Sequence, residues 1–152
     1  MKIIFVLFLF AFIQSGDIYD PSNIYKAIMV ELKAKMPEKT KWDNSDYYKW
    51  EVKVNMGGFT LPSYGGKGCA GFAMMASDAA FGSISAFKFE DKSKIRVGDI
   101  IYNGSHFVIL VKKLSATRYV IAEGNYNNYI HYGREIDINT NGFTYGFTRY
   151  TS

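Results

Sequence analysis

Gly66-Lys67-Gly68-Cys69-Ala70-Gly71-Phe72 carries the only cysteine of the chain. Glycines precede the thiol, and Phe72, Ala73, Ala76, Ala79 and Ala80 follow at steps of three and four, the spacing of a helix with one buried side. Gly82 stands just past the last apolar position, where a left-handed cap ends such a helix. The spacing predicts a helix over 69–81 with Cys69 in its first turn. There the positive end of the helix dipole favours the thiolate, and unpaired backbone N–H groups face any developing oxyanion. A free cysteine is also commonly no more than a small buried hydrophobe. The surrounding chain decides between the two.

Upstream, Lys2 is followed by an unbroken apolar run over 3–13 and then by Gln14, Ser15 and Gly16. A basic start, a short apolar segment and small residues after it describe a secretory signal over 1–15. The run is shorter than the roughly 20 apolar residues that span a bilayer. The expectation is a secreted, extracellular protein with no stable membrane insertion once the signal is removed. Residues 16–152 suffice for one core, and no repeat, low-complexity tract or linker divides them. They read as a helix plus an aromatic loop region over 16–63, then a core over 64–152. Asp20-Pro21-Ser22-Asn23 starts the first helix, whose stripe Ile24, Ile28, Met29, Leu32 and Met36 ends at Pro37. Trp42, Tyr47, Tyr48, Trp50 and Phe59 then sit among polar residues and glycines without a sustained period, with a short strand over 50–54.

Past Gly82 the pattern changes to strands. The run 97–102 meets Asn103-Gly104, a strong hairpin signal. Over 106–112, His106, Val108, Leu110 and Lys112 alternate with Phe107, Ile109 and Val111, and the first set is expected to pack on the cysteine helix. Further strands are expected over 118–123, 129–138 and 143–150. The result is an α+β fold, helices segregated from an antiparallel meander of about five strands.

A cysteine nucleophile needs a base and a group that fixes the tautomer of that base. The chain has two histidines. His106 opens a strand directly after a tight turn, and an antiparallel neighbour brings 123–125 beside it, where a carboxylate or amide accepts the imidazole Nδ1–H. His131 lies in a later strand and reads as a rim residue. Asp78 reads as lying on the outer side of the cysteine helix, and Asp99 as marking a strand start. With a single cysteine and no clustered carboxylates, no metal site and no cofactor are expected. Gly65-Gly66-Lys67-Gly68 lacks the spacing of a phosphate loop. The formal charge of +4 comes without an arginine-rich stripe, so no nucleic-acid partner is expected. A mild positive balance suits an anionic surface such as a bacterial wall, and equally describes an ordinary solvated surface.

Gly68-Cys69-Ala70-Gly71-Phe72 resembles the Cys-Ser-Gly-Phe signature of NlpC-type cell-wall peptidases. Val97-Gly98-Asp99-Ile100, the turn and His106-Phe107-Val108 resemble the strand pair that carries the base in CHAP amidase/endopeptidase domains. Ala122-Glu123-Gly124-Asn125-Tyr126 resembles the Glu-x-Asn segment of their next strand. The resemblance spans 64–135. It implies a compact papain-like fold, Cys69 as nucleophile, His106 as general base, and Glu123, supported by Asn125, as the orienting group. It implies hydrolysis of an amide in peptidoglycan, within the stem peptide or between sugar and peptide. The polar residue these families carry before the cysteine is Gly68 here, so substrate contacts fall to Gly68 itself, Tyr48, Tyr64 and Tyr126. Two further readings stay open: a non-catalytic wall- or glycan-binding module using the aromatic loop over 42–64, and a secreted effector using the same triad on a protein. No coiled-coil seam is present, so a monomer is expected.

Overall fold

The computed structural model describes residues 19–51, 54–55 and 66–151. Residues 1–15, where a signal is expected, and Phe59 and Tyr64 lie outside the described residues. Among those described, no helix is long and apolar enough to cross a membrane.

Asp20 starts the N-terminal helix, as its sequence requires. Its carboxylate accepts the Ser22 N–H at 2.7 Å, and Pro21 occupies the first turn, where a missing N–H costs nothing. The helix runs Pro21–Lys26, widens into a π-helical segment Ala27–Leu32 and closes with Lys33–Lys35. Ile24, Ile28 and Leu32 are buried, with Met29 and Met36 packed at the margin.

The cysteine helix spans Gly68–Phe81, and Gly82 ends it at φ +73° with its N–H on the Asp78 carbonyl. It is enclosed on more than the one side that its spacing suggests. Ala70, Gly71, Met74 and Ser77 are buried along with Phe72, Ala73 and Ala76, whereas Ala79 is exposed. The extra cover comes from the chain before the helix. Trp42 is only 8% exposed and donates its indole N–H to the Gly68 carbonyl at 2.7 Å. A Cβ on Gly71 would lie 2.0 Å from the Gly66 carbonyl oxygen, so this crossing needs glycine.

One sheet holds all the strands: β1 (Val54–Asn55), β2 (Ala86–Phe89), β3 (Ile100–Tyr102), β4 (Phe107–Lys113), β5 (Arg118–Tyr126), β6 (Tyr129–Asp137) and β7 (Tyr145–Thr148), in the order β1-β2-β7-β3-β4-β5-β6. From β2 to β6 the neighbours are antiparallel, and the two-residue β1 adds a parallel edge. The fold is α+β, as expected, with seven strands among the described residues in place of about five and two corrections to how they are arranged. First, β7 does not extend the meander beyond β6. It returns to the far edge, pairing Tyr145 with Tyr102 and Phe147 with Ile100, and β2 pairs outside it. That arrangement covers the backbone edge of β3, whose Ile100 and Ile101 are both buried.

The second correction concerns faces. The cysteine helix lies on the Phe107, Ile109, Ala122 and Gly124 side, not on the Val108 and Leu110 side. A Cβ on Gly124 would meet Phe72 Cβ at 2.4 Å, and Tyr132, paired with Ala122, packs its ring 5.9 Å from Phe72. Val108, Leu110, Ile121, Tyr119 and Ile136 form a second buried layer on or near the other face. Both faces of β4 are apolar over Phe107–Val111, so alternation alone did not say which would take the helix.

Candidate active site

His106 is fixed by the turn before it. Asn103 Oδ1 accepts the N–H groups of Ser105 at 3.0 Å and of His106 at 2.9 Å, an Asx turn that sets the imidazole at the end of β4. The pairing of β4 with β5 brings Glu123 onto the same face. The His106 Nε2 lies 2.9 Å from Glu123 Oε1. This reverses the expected use of the ring: Nε2 engages the carboxylate, which leaves Nδ1 for the sulfur of Cys69, the neighbour that does most to raise the ring's pKa.

Glu123 is fully buried. A lone buried carboxylate takes up a proton. Here Arg134 donates Nε–H to Oε2 at 2.8 Å and Nη2–H to Oε1 at 2.7 Å. Burial pushes the carboxyl up, but the Arg134 and His106 bonds outweigh it and hold Glu123 below the usual carboxylate range. Burial likewise opposes the imidazolium of His106. Its bonds to Cys69 and Glu123 prevail and push its pKa up to about 9. For Cys69, burial would push the thiol up. The His106 ring and the N–H groups of Phe107 and Ala70 more than offset it, and the net shift is downward. Both shifts run in the direction that favours thiolate and imidazolium, the state in which a sulfur attacks and a ring donates.

The sulfur opens onto a cleft of about 350 Å³ lined by Asn44, Lys67, Cys69, Ala70, Tyr102, Ser105 and Phe107. A larger groove of about 750 Å³, between the start of the N-terminal helix and Val111–Lys113, contains none of Cys69, His106 or Glu123. The smaller cleft is the candidate site because Cys69 lines it.

The other expected residues fall in different places. Asn125 does not reach His106; its Nδ2 donates to Asn44 Oδ1 at 2.8 Å. Its φ of +52° marks an irregularity between Glu123 and Tyr126 that turns the side chain aside. Tyr126 stands at the rim, its ring 6.4 Å from His106, with the Arg134 guanidinium 4.8 Å over it. Tyr48 is not a cleft residue: its hydroxyl donates to Asp78 Oδ2 at 2.6 Å, and its pKa is raised to about 12, first by burial and then by that carboxylate. Asp78 is accordingly no outward-facing residue. It also accepts the Trp50 indole N–H at 2.9 Å and pairs with the buried Arg149, anchoring the loop behind the cysteine helix. The described part of the expected aromatic platform therefore turns Trp42, Tyr48 and Trp50 inward, while Tyr47 stays exposed. His131 is a rim residue, its Nδ1 2.6 Å from Glu38 Oε1. Asp99, read as a strand start, is a fully buried turn residue whose Oδ2 accepts the Arg96 N–H at 2.8 Å.

Arg134 was not singled out from the sequence. Strict alternation puts it on the Tyr132 face of β6, away from Glu123. A bulge at Gly133, φ +100°, shifts the register so that Arg134 pairs with Ile121 and shares the Glu123 face. Among the described residues, no group of His, Cys, Asp and Glu is arranged to hold a metal ion. Comparison with protein-family models, with curated proteins and with solved structures finds no match to this chain.

Proposed function

We propose that the protein is a secreted cysteine hydrolase of the papain-like kind that cleaves amide bonds in bacterial peptidoglycan. The observation that carries the reading is the chain of contacts Cys69, His106, Glu123 and Arg134 beside an open cleft. A buried carboxylate clamped on one side by arginine and on the other by imidazole has a clear chemical use: it holds a cation at His106 next to a thiol. In acylation the Cys69 thiolate adds to the carbonyl carbon, and His106 Nδ1–H protonates the departing amine. In deacylation the neutral ring takes a proton from water, whose oxygen displaces the sulfur. Glu123 orients the ring and remains ionised throughout.

The choice of wall peptide rests on the resemblance of the Cys69, His106 and Glu123 segments to CHAP and NlpC-type domains. The mild positive charge is consistent with it. Digestion of purified peptidoglycan by the mature protein, compared with Cys69→Ala and His106→Ala, tests it directly. The expected outcome is turbidity loss and released peptide with the wild type alone, product masses naming the bond. Walls of several chemotypes left uncut, with binding retained in all three proteins, would make the domain a binder and end the hydrolase reading.

A further inference from the structure

Resting on the hydrolase reading, we infer that Asn44 is an oxyanion donor of the Cys69 site, its amide held in place by Asn125 and admitted by the missing side chain of Gly68. When Sγ adds to a carbonyl carbon, the π pair moves onto oxygen, and that charge needs preorganised N–H donors. At the start of the cysteine helix most N–H groups are already engaged. Gly68 donates to the Asp46 carbonyl at 3.1 Å and Gly71 to the Lys67 carbonyl at 3.3 Å, while Ala70 N–H faces the sulfur itself. Cys69 N–H has no partner among the described residues, and one donor leaves the oxyanion half met.

Asn44 supplies the second. Asp43 and Asp46 pin the turn that carries it: Asp43 N–H donates to Asp46 Oδ2 at 2.8 Å, and Asp46 N–H to the Asp43 carbonyl at 3.0 Å. The carboxamide lies in the volume that a side chain at 68 would fill, since a Cβ there would be 2.5 Å from Asn44 Oδ1 and 3.2 Å from Asn125 Nδ2. The glycine before the nucleophile thus makes room for a polar group brought in from the loop. The direction of the amide follows from its partner. Asn125 Nδ2 donates to Asn44 Oδ1 at 2.8 Å, so the Asn44 Nδ2 group, which has no acceptor among the described residues, is the end free for the cleft that Asn44 and Cys69 both line. Asparagine tolerates the left-handed φ of +52° that turns residue 125 this way.

The step balances. In acylation the S–C bond forms, the oxyanion accepts from Asn44 Nδ2–H and Cys69 N–H, and collapse breaks C–N as the amine takes the His106 proton. In deacylation water gives its proton to His106, and its oxygen adds to the thioester carbon. The same donors hold the second oxyanion, and collapse returns the thiolate.

Two probes on the mature protein separate this role from a structural one: hydrolysis of purified peptidoglycan, which passes through an oxyanion, and alkylation by iodoacetamide, which does not. Asn44→Ala is expected to slow hydrolysis about 10²–10³-fold, the usual effect of removing one such donor. Its alkylation rate and pH profile should match the wild type. Asn125→Asp offers a carboxylate that accepts from Asn44 Nδ2, reversing the amide, and should slow hydrolysis by far more than its added charge slows alkylation. Hydrolysis by Asn44→Ala within about threefold of wild type overturns the inference. A parallel fall in alkylation and hydrolysis overturns it too, because Asn44 would then only shape the loop. A wild type that cleaves no wall refutes the hydrolase reading, and this inference with it, and shows in a separate arm.

Discussion

Glu123 and Asp99 are both fully buried carboxylates reached from the same sheet, and their surroundings treat them in opposite ways. Glu123 receives two N–H groups of Arg134 and the imidazole of His106, and stays ionised against the cost of burial. Asp99 receives the Arg96 N–H and faces the Thr148 hydroxyl, while its Oδ1 has no hydrogen-bond partner among the described residues. Burial, the largest influence, pushes its carboxyl up to about 7, against Thr148, the Arg96 N–H and the Arg96 charge. Burial therefore outweighs those partners and raises the acid. A carboxylate kept charged at such depth needs cations on its oxygens, and Glu123 passes that charge on to the ring beside the thiol. Asp99 closes a turn.

The sharpest way to break this contrast is to neutralise each acid in turn. Glu123→Gln removes the counter-charge of His106, and hydrolysis should fall about 10²–10⁴-fold, the range seen when the acid behind a catalytic imidazole is made an amide. The alkaline limb of the pH–rate profile, set near pH 9 by loss of the His106 proton, should move toward the ordinary imidazole range. Asp99→Asn should leave both within about threefold of wild type. An equal loss of activity in the two variants would erase the distinction.

A smaller effect, on stability, is expected from Arg134→Met. It strands a buried carboxylate with only His106 beside it, and urea unfolding at pH 7 should show a loss of about 3 kcal/mol. The same variant titrated downward should close part of its gap to wild type, because it has less carboxylate stability to lose as pH falls. Glu123 has a depressed folded pKa, so its contribution is present above the unfolded value and is lost as pH falls through the folded one. Removing Arg134 raises that folded value.

The smallest effect belongs to Asp99→Asn. Its folded pKa lies above the unfolded one, so the wild type loses stability as pH rises from the ordinary carboxylate value of 3.8 through about 7. Unfolding curves should therefore be closest below the unfolded value of 3.8, differing by less than about 1 kcal/mol, because the wild-type carboxyl is protonated in both the folded and the unfolded state there. They should separate in favour of the variant by pH 8. Curves that stay parallel would mean that Asp99 is no burden at neutral pH.

What the sequence made legible divides along the same lines. The cysteine helix was readable because apolar spacing and Gly82 are local signals, and the His106–Glu123 contact because a hairpin fixes which strand end returns beside which. Arg134 was hidden by the Gly133 bulge, which moves it to the face opposite the one alternation assigns. Asn125 was misplaced for the same kind of reason, a single left-handed residue that re-aims a side chain. Asn44 and the return of β7 depend on which chain segments cross in space, and no short-range pattern encodes that. The face that takes the helix was ambiguous because β4 is apolar on both sides. Alternation carries the strands; bulges decide what their side chains meet.

The proposed mechanism needs a thiolate that His106 holds ready at neutral pH. Its most direct test is the rate of Cys69 alkylation by iodoacetamide across pH in the wild type and in His106→Ala. The wild type should react with a midpoint below the ordinary thiol range, and His106→Ala should move the midpoint up, because the ring's lowering influence is lost while burial remains. Identical midpoints near the ordinary value in both proteins would show that Cys69 and His106 are neighbours without being a pair.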